Sequence, residues 1–174
     1  MIKKLLLILA VMIMSSCASN GNAPVSKLYH RFLNSEQSFQ QKSIRVHKTT
    51  ALGILGNRPL VVLNQNGSLQ QMNSNFWLES PKTLYWNYLK QTFSSTSPEY
   101  HLYSEIRRLE KSKSKSYVEI HFILRDEKGG DVFKKTYSQQ RLSEDASVDL
   151  FVKSVRQSLT QITSDLIADL SDVK

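Results

Sequence analysis

Val148, Val152, Val155, Leu159, Ile162, Leu166 and Leu170 follow one another at spacings of 4, 3, 4, 3, 4 and 4. Only an α-helix, at 3.6 residues per turn, puts such positions on one side. Phe151 and Ile167 widen the stripe beyond the narrow seam of a coiled coil. A broad apolar face roughly 35 Å long at 1.5 Å per residue needs a broad apolar surface beneath it, and a sheet offers one. Ser143 is the expected cap, with Glu144 and Asp145 in the first turn, where the helix dipole favours acids.

The preceding residues supply the sheet. In "YVEIHFILR", Val118, Ile120, Phe122 and Leu124 alternate with polar neighbours and share one face of a strand. Strands are expected near 100–110, 117–125 and 131–138, with "DEKGGD" as the turn between the last two. Further upstream, "KLYHRFLN" and "SIRVHK" read as strands, and "ALGILGN" as an apolar, glycine-bearing connection. "RPLVVLNQ" is β-branched, with Pro59 near its start, where a missing N–H matters least. Asn66-Gly67 is a hairpin signal, and "SLQQMN" is the return strand. Ser80-Pro81 opens a helix with Leu84, Tyr85, Tyr88, Leu89, Thr92 and Phe93 on one side. Phe76, Trp77 and Leu78 before it read as core cover, with an aromatic partner surface as the competing reading. The expected fold is a single α/β domain: a mixed, mostly antiparallel sheet packed by two main helices, about 81–94 and 144–171.

At 174 residues the chain has the length of one domain, and 40% hydrophobic with 22% charged residues is a globular composition. Its first residues stand apart. Lys3 and Lys4 precede an aliphatic run from Leu5 to Met14, then Ser15, Ser16 and Cys17. A basic start, a short apolar run and small residues describe a secretory signal. Ten apolar residues reach roughly 15 Å as a helix, half a bilayer core. The lone cysteine cannot form an internal disulfide. "MSSC" resembles a bacterial lipobox, with Met14 where Leu is usual. That resemblance implies cleavage between Ser16 and Cys17, a diacylglycerol on the Cys17 thiol and an acyl group on its new amino terminus. Ala18 after the cysteine implies sorting to the outer membrane. Several chains on one residue make dissociation from a bilayer negligible. Residues 1–16 are then the signal, 17–26 a lipidated tether of at most ~35 Å when extended, and 27–174 the domain. Removing Lys3 and Lys4 lowers the formal net charge from +8 to +6. This excess suits anionic lipid heads or acidic partners and is too dispersed to argue for nucleic acid.

No catalytic constellation is visible. His30, His47, His101 and His121 have no metal-ligand spacing with one another, with Cys17 or with paired carboxylates. His121 reads as a solvent-side strand residue. G-x-S-x-G, P-loop and G-x-G-x-x-G motifs are missing, and Asp126-Glu127 lies beside a turn. "RRLEKSKSKS" carries Arg107, Arg108, Lys111, Lys113 and Lys115. It reads as a solvated edge or turn, with a patch for lipid heads or an acidic partner as the alternative. No metal and no cofactor beyond the lipid on Cys17 is expected, and no enzymatic activity.

The order of pieces carries a second resemblance: a lipobox, "SIRVHK", "NRPLVVLNQNGSLQQMNSNFWLESPKTLYWNYLKQTF", "YSEIRRLEKSKSKSYVEIHFILRDEKGGDVFKKTYSQQ" and a long closing helix. Arg58-Pro59 before a hydrophobic strand and Trp77 before the first helix are its closest matches. Over about residues 27–171 the chain is similar to the ABC-type transport auxiliary lipoprotein component family, which includes the paraquat-inducible protein C type. "KLYHRF" departs from the Tyr-Tyr-x-Leu common there. The resemblance implies an outer-membrane lipoprotein facing the periplasm, a non-catalytic docking or scaffold subunit of a mammalian-cell-entry-type ABC lipid transport system. Its partners would be the mammalian-cell-entry protein with its permease and ATPase, and a homo-oligomeric ring would suit a cyclic tube. Arg58, Pro59, Arg107, Arg108, Lys111 and Lys113 are the candidate partner surface. The competing function is an outer-membrane lipoprotein that regulates a cell-wall synthase, which the short tether disfavours.

Overall fold

The computed structural model describes residues 25–32, 39, 43–93, 98–143 and 145–173. Cys17, Ser16, the leader and most of the tether lie outside the described residues, as does Glu144. The described residues form eight strands and two α-helices in one domain: β1 Leu28–His30, β2 Ile44–Val46, β3 Thr50–Ala51, β4 Pro59–Leu63, β5 Leu69–Trp77, α1 Pro81–Thr92, β6 Tyr100–Ser112, β7 Lys115–Asp126, β8 Asp131–Leu142 and α2 Val148–Ser171. A turn of 3-10 helix, Gly53–Gly56, joins β3 to β4.

All strands belong to one mixed sheet in the order β1-β5-β4-β6-β7-β8. β6 is its spine. β7 covers one edge of β6 from Tyr100 to Ser112 in antiparallel register. Along the other edge, β2 pairs with Tyr100–Leu102, β3 with Glu105 and Ile106, and β4 with Lys111, all parallel. β8 extends the antiparallel ladder beyond β7, and β1 closes the opposite side in parallel with β5.

The pleat assigns the faces. Val118, Ile120, Phe122 and Leu124 are all essentially inaccessible and lie under the helices, as their alternation requires. On β6 the same face carries Leu102 and Ile106, then Leu109. The odd spacing is absorbed by a bulge between Ile106 and Arg108. α2 packs over β7 and β8, and Phe151, Val152, Val155, Leu159, Ile162, Leu166 and Leu170 are buried as its stripe predicts. α1 contributes Tyr85, Tyr88 and Leu89 to the same core. The Tyr85 hydroxyl meets Thr163 Oγ1 on α2 at 3.2 Å, so its polar tip is satisfied inside the core. Trp77 ends β5 with 1% exposure, edge-on to Phe32 at 5.0 Å and beside Phe151 at 6.4 Å. It is core, and part of a strand longer than the expected return.

The hairpin after β4 closes as its Asn-Gly signal predicts. Gly67 holds φ +82°, which a side chain would strain, and its N–H bonds Asn64 O at 3.1 Å. α1 starts at Pro81 with Ser80 as its cap, the Ser80 hydroxyl accepting from Thr83 N. The expected start of α2 needs correction. β8 runs on to Leu142, and Ser143 N instead donates to Ser114 O at 2.7 Å, closing the β7–β8 ladder. The cap is Ser147, whose Oγ accepts from Leu150 N at 3.3 Å, and the helix begins at 148 rather than 144. Asp145 Oδ1 accepts from Ser147 N at 2.6 Å and fixes the turn that feeds the cap. Ser147→Ala should therefore lower unfolding free energy by about 1 kcal/mol. Ser143→Ala should stay within ~0.5 kcal/mol, as for most surface changes. Urea unfolding followed by circular dichroism checks the pair, and equal losses would contradict the assigned cap.

Candidate functional site

Both described helices lie on one side of the sheet, so among the described residues no helix covers the other side of β6–β7–β8. Its residues follow from the register. Tyr103, Ile123 and Lys134 form one row, and Glu105, His121 and Thr136 the next. Arg108, Glu119 and Ser138 form a third. Polar residues at alternate positions keep this face wet, as an antiparallel sheet permits.

The β6 bulge shapes the site. Without it, Arg107 and Arg108 would point to opposite faces. With it, Arg107 Nε reaches Glu105 Oε2 at 2.9 Å and Arg108 reaches Glu110 Oε1 at 2.7–2.8 Å, on the same uncovered side. Arg108 also lies 4.3 Å over the Tyr117 ring and shields Glu110, which is almost fully buried. A cleft of about 310 Å³ opens between β3 and β8, lined by Lys48, Thr50, Tyr103, Glu105, Arg107, His121, Ile123 and Lys134.

His121 was expected on the solvent side. It does lie on the uncovered face but is only 8% exposed. Its neighbours on β6 and β8 close over the ring, and Nδ1 shares a 2.8 Å hydrogen bond with Thr136 Oγ1. Burial, with help from the Arg107 and Lys134 charges, holds His121 below the ordinary 6.5. At the end of the same face, His47 Nε2 and His101 Nδ1 stand 2.9 Å apart. His47 stacks on Tyr103 at 4.3 Å, and Arg125 covers the Tyr103 ring at 4.9 Å. A ring-to-ring hydrogen bond needs one donor and one acceptor, so a proton on each of these nitrogens would oppose the contact. Burial, His101 and Arg45 together push His47 down. The sequence separates the two histidines by 54 residues, and only the parallel β2–β6 pairing joins them. No cluster of three metal-ligating side chains occurs among the described residues.

The sequence-derived candidates separate. Arg107 lines the cleft. Arg108 lies further along the same face. Lys111 is 8% exposed, with its Nζ donating to Lys113 O at 2.5 Å, and burial pushes its pKa down. Lys113 is the positive-φ residue of the tight β6–β7 turn, at φ +50°. Arg58 and Pro59 lie apart from this cluster, at the start of β4: Arg58 Nε bonds Trp77 O at 3.3 Å and its guanidinium sits 5.2 Å over the Tyr29 ring. The basic run is therefore a bulge, an ion pair and a turn, not one continuous patch. Lys48, Thr50 and Lys134 were not legible as site residues because they come from a loop and two separate strands, and His121 was read only as a solvent-side strand residue. The one visible signal was the three-residue step from Ile106 to Leu109, which marks the bulge.

The sequence matches no family model and no curated protein sequence. Solved structures show the fold. A crystal structure of an uncharacterized protein is 12% identical and superimposes with a TM-score of 0.70 over 83% of this chain and 99% of its own. A DUF330-family protein of Xanthomonas campestris is 17% identical, with a TM-score of 0.66 over 82% of this chain and 91% of its own. At these identities the likeness concerns architecture: a single α/β domain with one mixed sheet and two helices.

The two depressed histidines set a direction for pH dependence. An unfolded histidine takes its proton near pH 6.5, and the folded ones take it only at lower pH. Between those values the unfolded chain binds more protons, so stability falls as pH drops below about 6.5. Asp169, held below the ordinary 3.8 by Lys135 and Tyr137, contributes a separate loss only below about pH 4. Thermal unfolding between pH 7.5 and 5 should show a falling midpoint, with a shallower fall in His121→Gln and in His47→Gln. Parallel curves for all three proteins would show that the histidines are not the source.

Proposed function

We propose that the chain is an outer-membrane-anchored, non-catalytic docking lipoprotein of an ABC-type intermembrane lipid transport system, facing the periplasm. The observation that carries this reading is an anchor signal joined by a short tether to a domain in which no described helix covers one face of the sheet. The "MSSC" stretch supplies the anchor through Cys17, and the tether of at most ~35 Å holds the domain close to its membrane. An uncovered, polar sheet face with paired charges suits reversible docking. The ordered pieces that resemble the auxiliary lipoprotein component family support the same reading. The partner is then a periplasmic protein of the mammalian-cell-entry type.

Two measurements test this. Fatty-acid labelling in the producing cell should disappear in Cys17→Ser, with the protein leaving the membrane fraction or stalling as a precursor; undiminished labelling would refute the anchor. A photo-crosslinking residue at Ser138, exposed on the uncovered face, should capture a mammalian-cell-entry protein in the intact envelope. Capture of a peptidoglycan synthase instead would replace the transport reading by the cell-wall one.

A further inference from the structure

We propose that the cleft between β3, β6, β7 and β8 is a binding site for a phosphate-ester or phosphate anion, held by Lys48, Arg107 and Lys134 over the ring of His121. The inference goes beyond docking and stands without it, since the cleft is complete within one chain.

Three cations line the cleft against one carboxylate, Glu105. Glu105 takes the Nε–H of Arg107 and leaves the terminal nitrogens of that guanidinium for another acceptor. Lys48 and Lys134 are exposed and form no ion pair among the described residues. Uncompensated cations converging on a concave surface create a local field that an anion relieves. His121 lies at the floor with Nδ1 committed to Thr136, which leaves Nε2 for a ligand. Arg107 and Lys134 already act on this ring, opposed by Glu105 and Glu119. Thr50 Oγ1 at the rim donates to Ser104 O at 3.4 Å, and Tyr103 and Ile123 give one wall an apolar character. The volume of about 310 Å³ holds a phosphorylated head group and no long acyl chain. Fork-shaped guanidinium and mobile ammonium donors suit tetrahedral phosphate oxygens.

A second cationic surface helps define the test. Arg141, Lys153 and Arg156 line a hollow beside α2. There Arg156 donates to Arg31 O and Arg141 to Ser158 Oγ, so both guanidinium groups serve the fold. That hollow has positive charge, and its lining residues, Arg141, Lys153, Arg156, Gln157, Thr160 and Gln161, include no histidine or aromatic ring.

The full chain in neutral detergent is titrated with inorganic phosphate and with glycerophosphoglycerol, by calorimetry and by histidine ring NMR. The expected result is saturable binding that moves the His121 resonances, leaves those of His30 in place and raises the pH at which His121 titrates. Lys48→Gln and Lys134→Gln should each weaken binding about tenfold, in line with loss of a charged hydrogen bond. Lys153→Gln should leave binding unchanged, and circular dichroism should confirm that all three variants are folded. Tighter binding of glycerophosphoglycerol than of phosphate assigns a lipid head group, and equal binding assigns free phosphate. Absence of saturable binding, an unmoved His121 or an equal loss in Lys153→Gln would overturn the site. None of these outcomes bears on Cys17 labelling or on the crosslinked partner.

Discussion

The fold depends on the register of β6. This strand is bonded along both edges, by β7 on one side and by β2, β3 and β4 in turn on the other. A slip of one residue would exchange its two faces, moving Leu102 and Ile106 to water and His101, Tyr103 and Glu105 into the core. Each buried row across β6, β7 and β8 fixes this register, and α2 then lies across the rows. Half of the sheet answers to hydrophobic burial, while the other half is left for polar chemistry.

The bulge at Arg107 is the register shift of the β6–β7 pairing, and β7–β8 has another between Leu124 and Arg125. Regular pairing would have placed one arginine against α2, where an unpaired guanidinium is costly to bury. The extra residue keeps both arginines out and restores Leu109 to the core. The same local event removes a burial problem and sets Arg107 beside His121. A feature of strand geometry thereby determines the electrostatics of the uncovered face.

Much of the architecture is legible from periodicity. The four alternating positions of β7 and the stripe of α2 name their own buried faces, and Ser80-Pro81 marks a helix start with two independent signals. The α2 cap was not legible from spacing alone. Ser143 and Ser147 are both suitable residues, and the choice depends on how far β8 remains paired to β7. The cleft was less legible still. Its residues lie between positions 48 and 134, and their proximity is a product of sheet order. His47 and His101 likewise become partners only because β2 runs parallel to the start of β6. The basic run looked uniform as text, yet one of its lysines is almost buried and another forms a turn.

The placement of β1 has a mechanical consequence. In the proposed anchored chain, a pull between the leading end and a docked partner reaches β1 before the other described strands. β1 meets β5 over only three residues, reinforced by Leu78 N to His30 O and by the two contacts of Arg156 with Arg31 O. The β6–β7 and β7–β8 ladders each run for about a dozen registers by comparison. Under load, β1 would peel first, and the Arg156 clamp would carry the force into α2. The short strand would then act as a fuse, giving way before the core is disturbed.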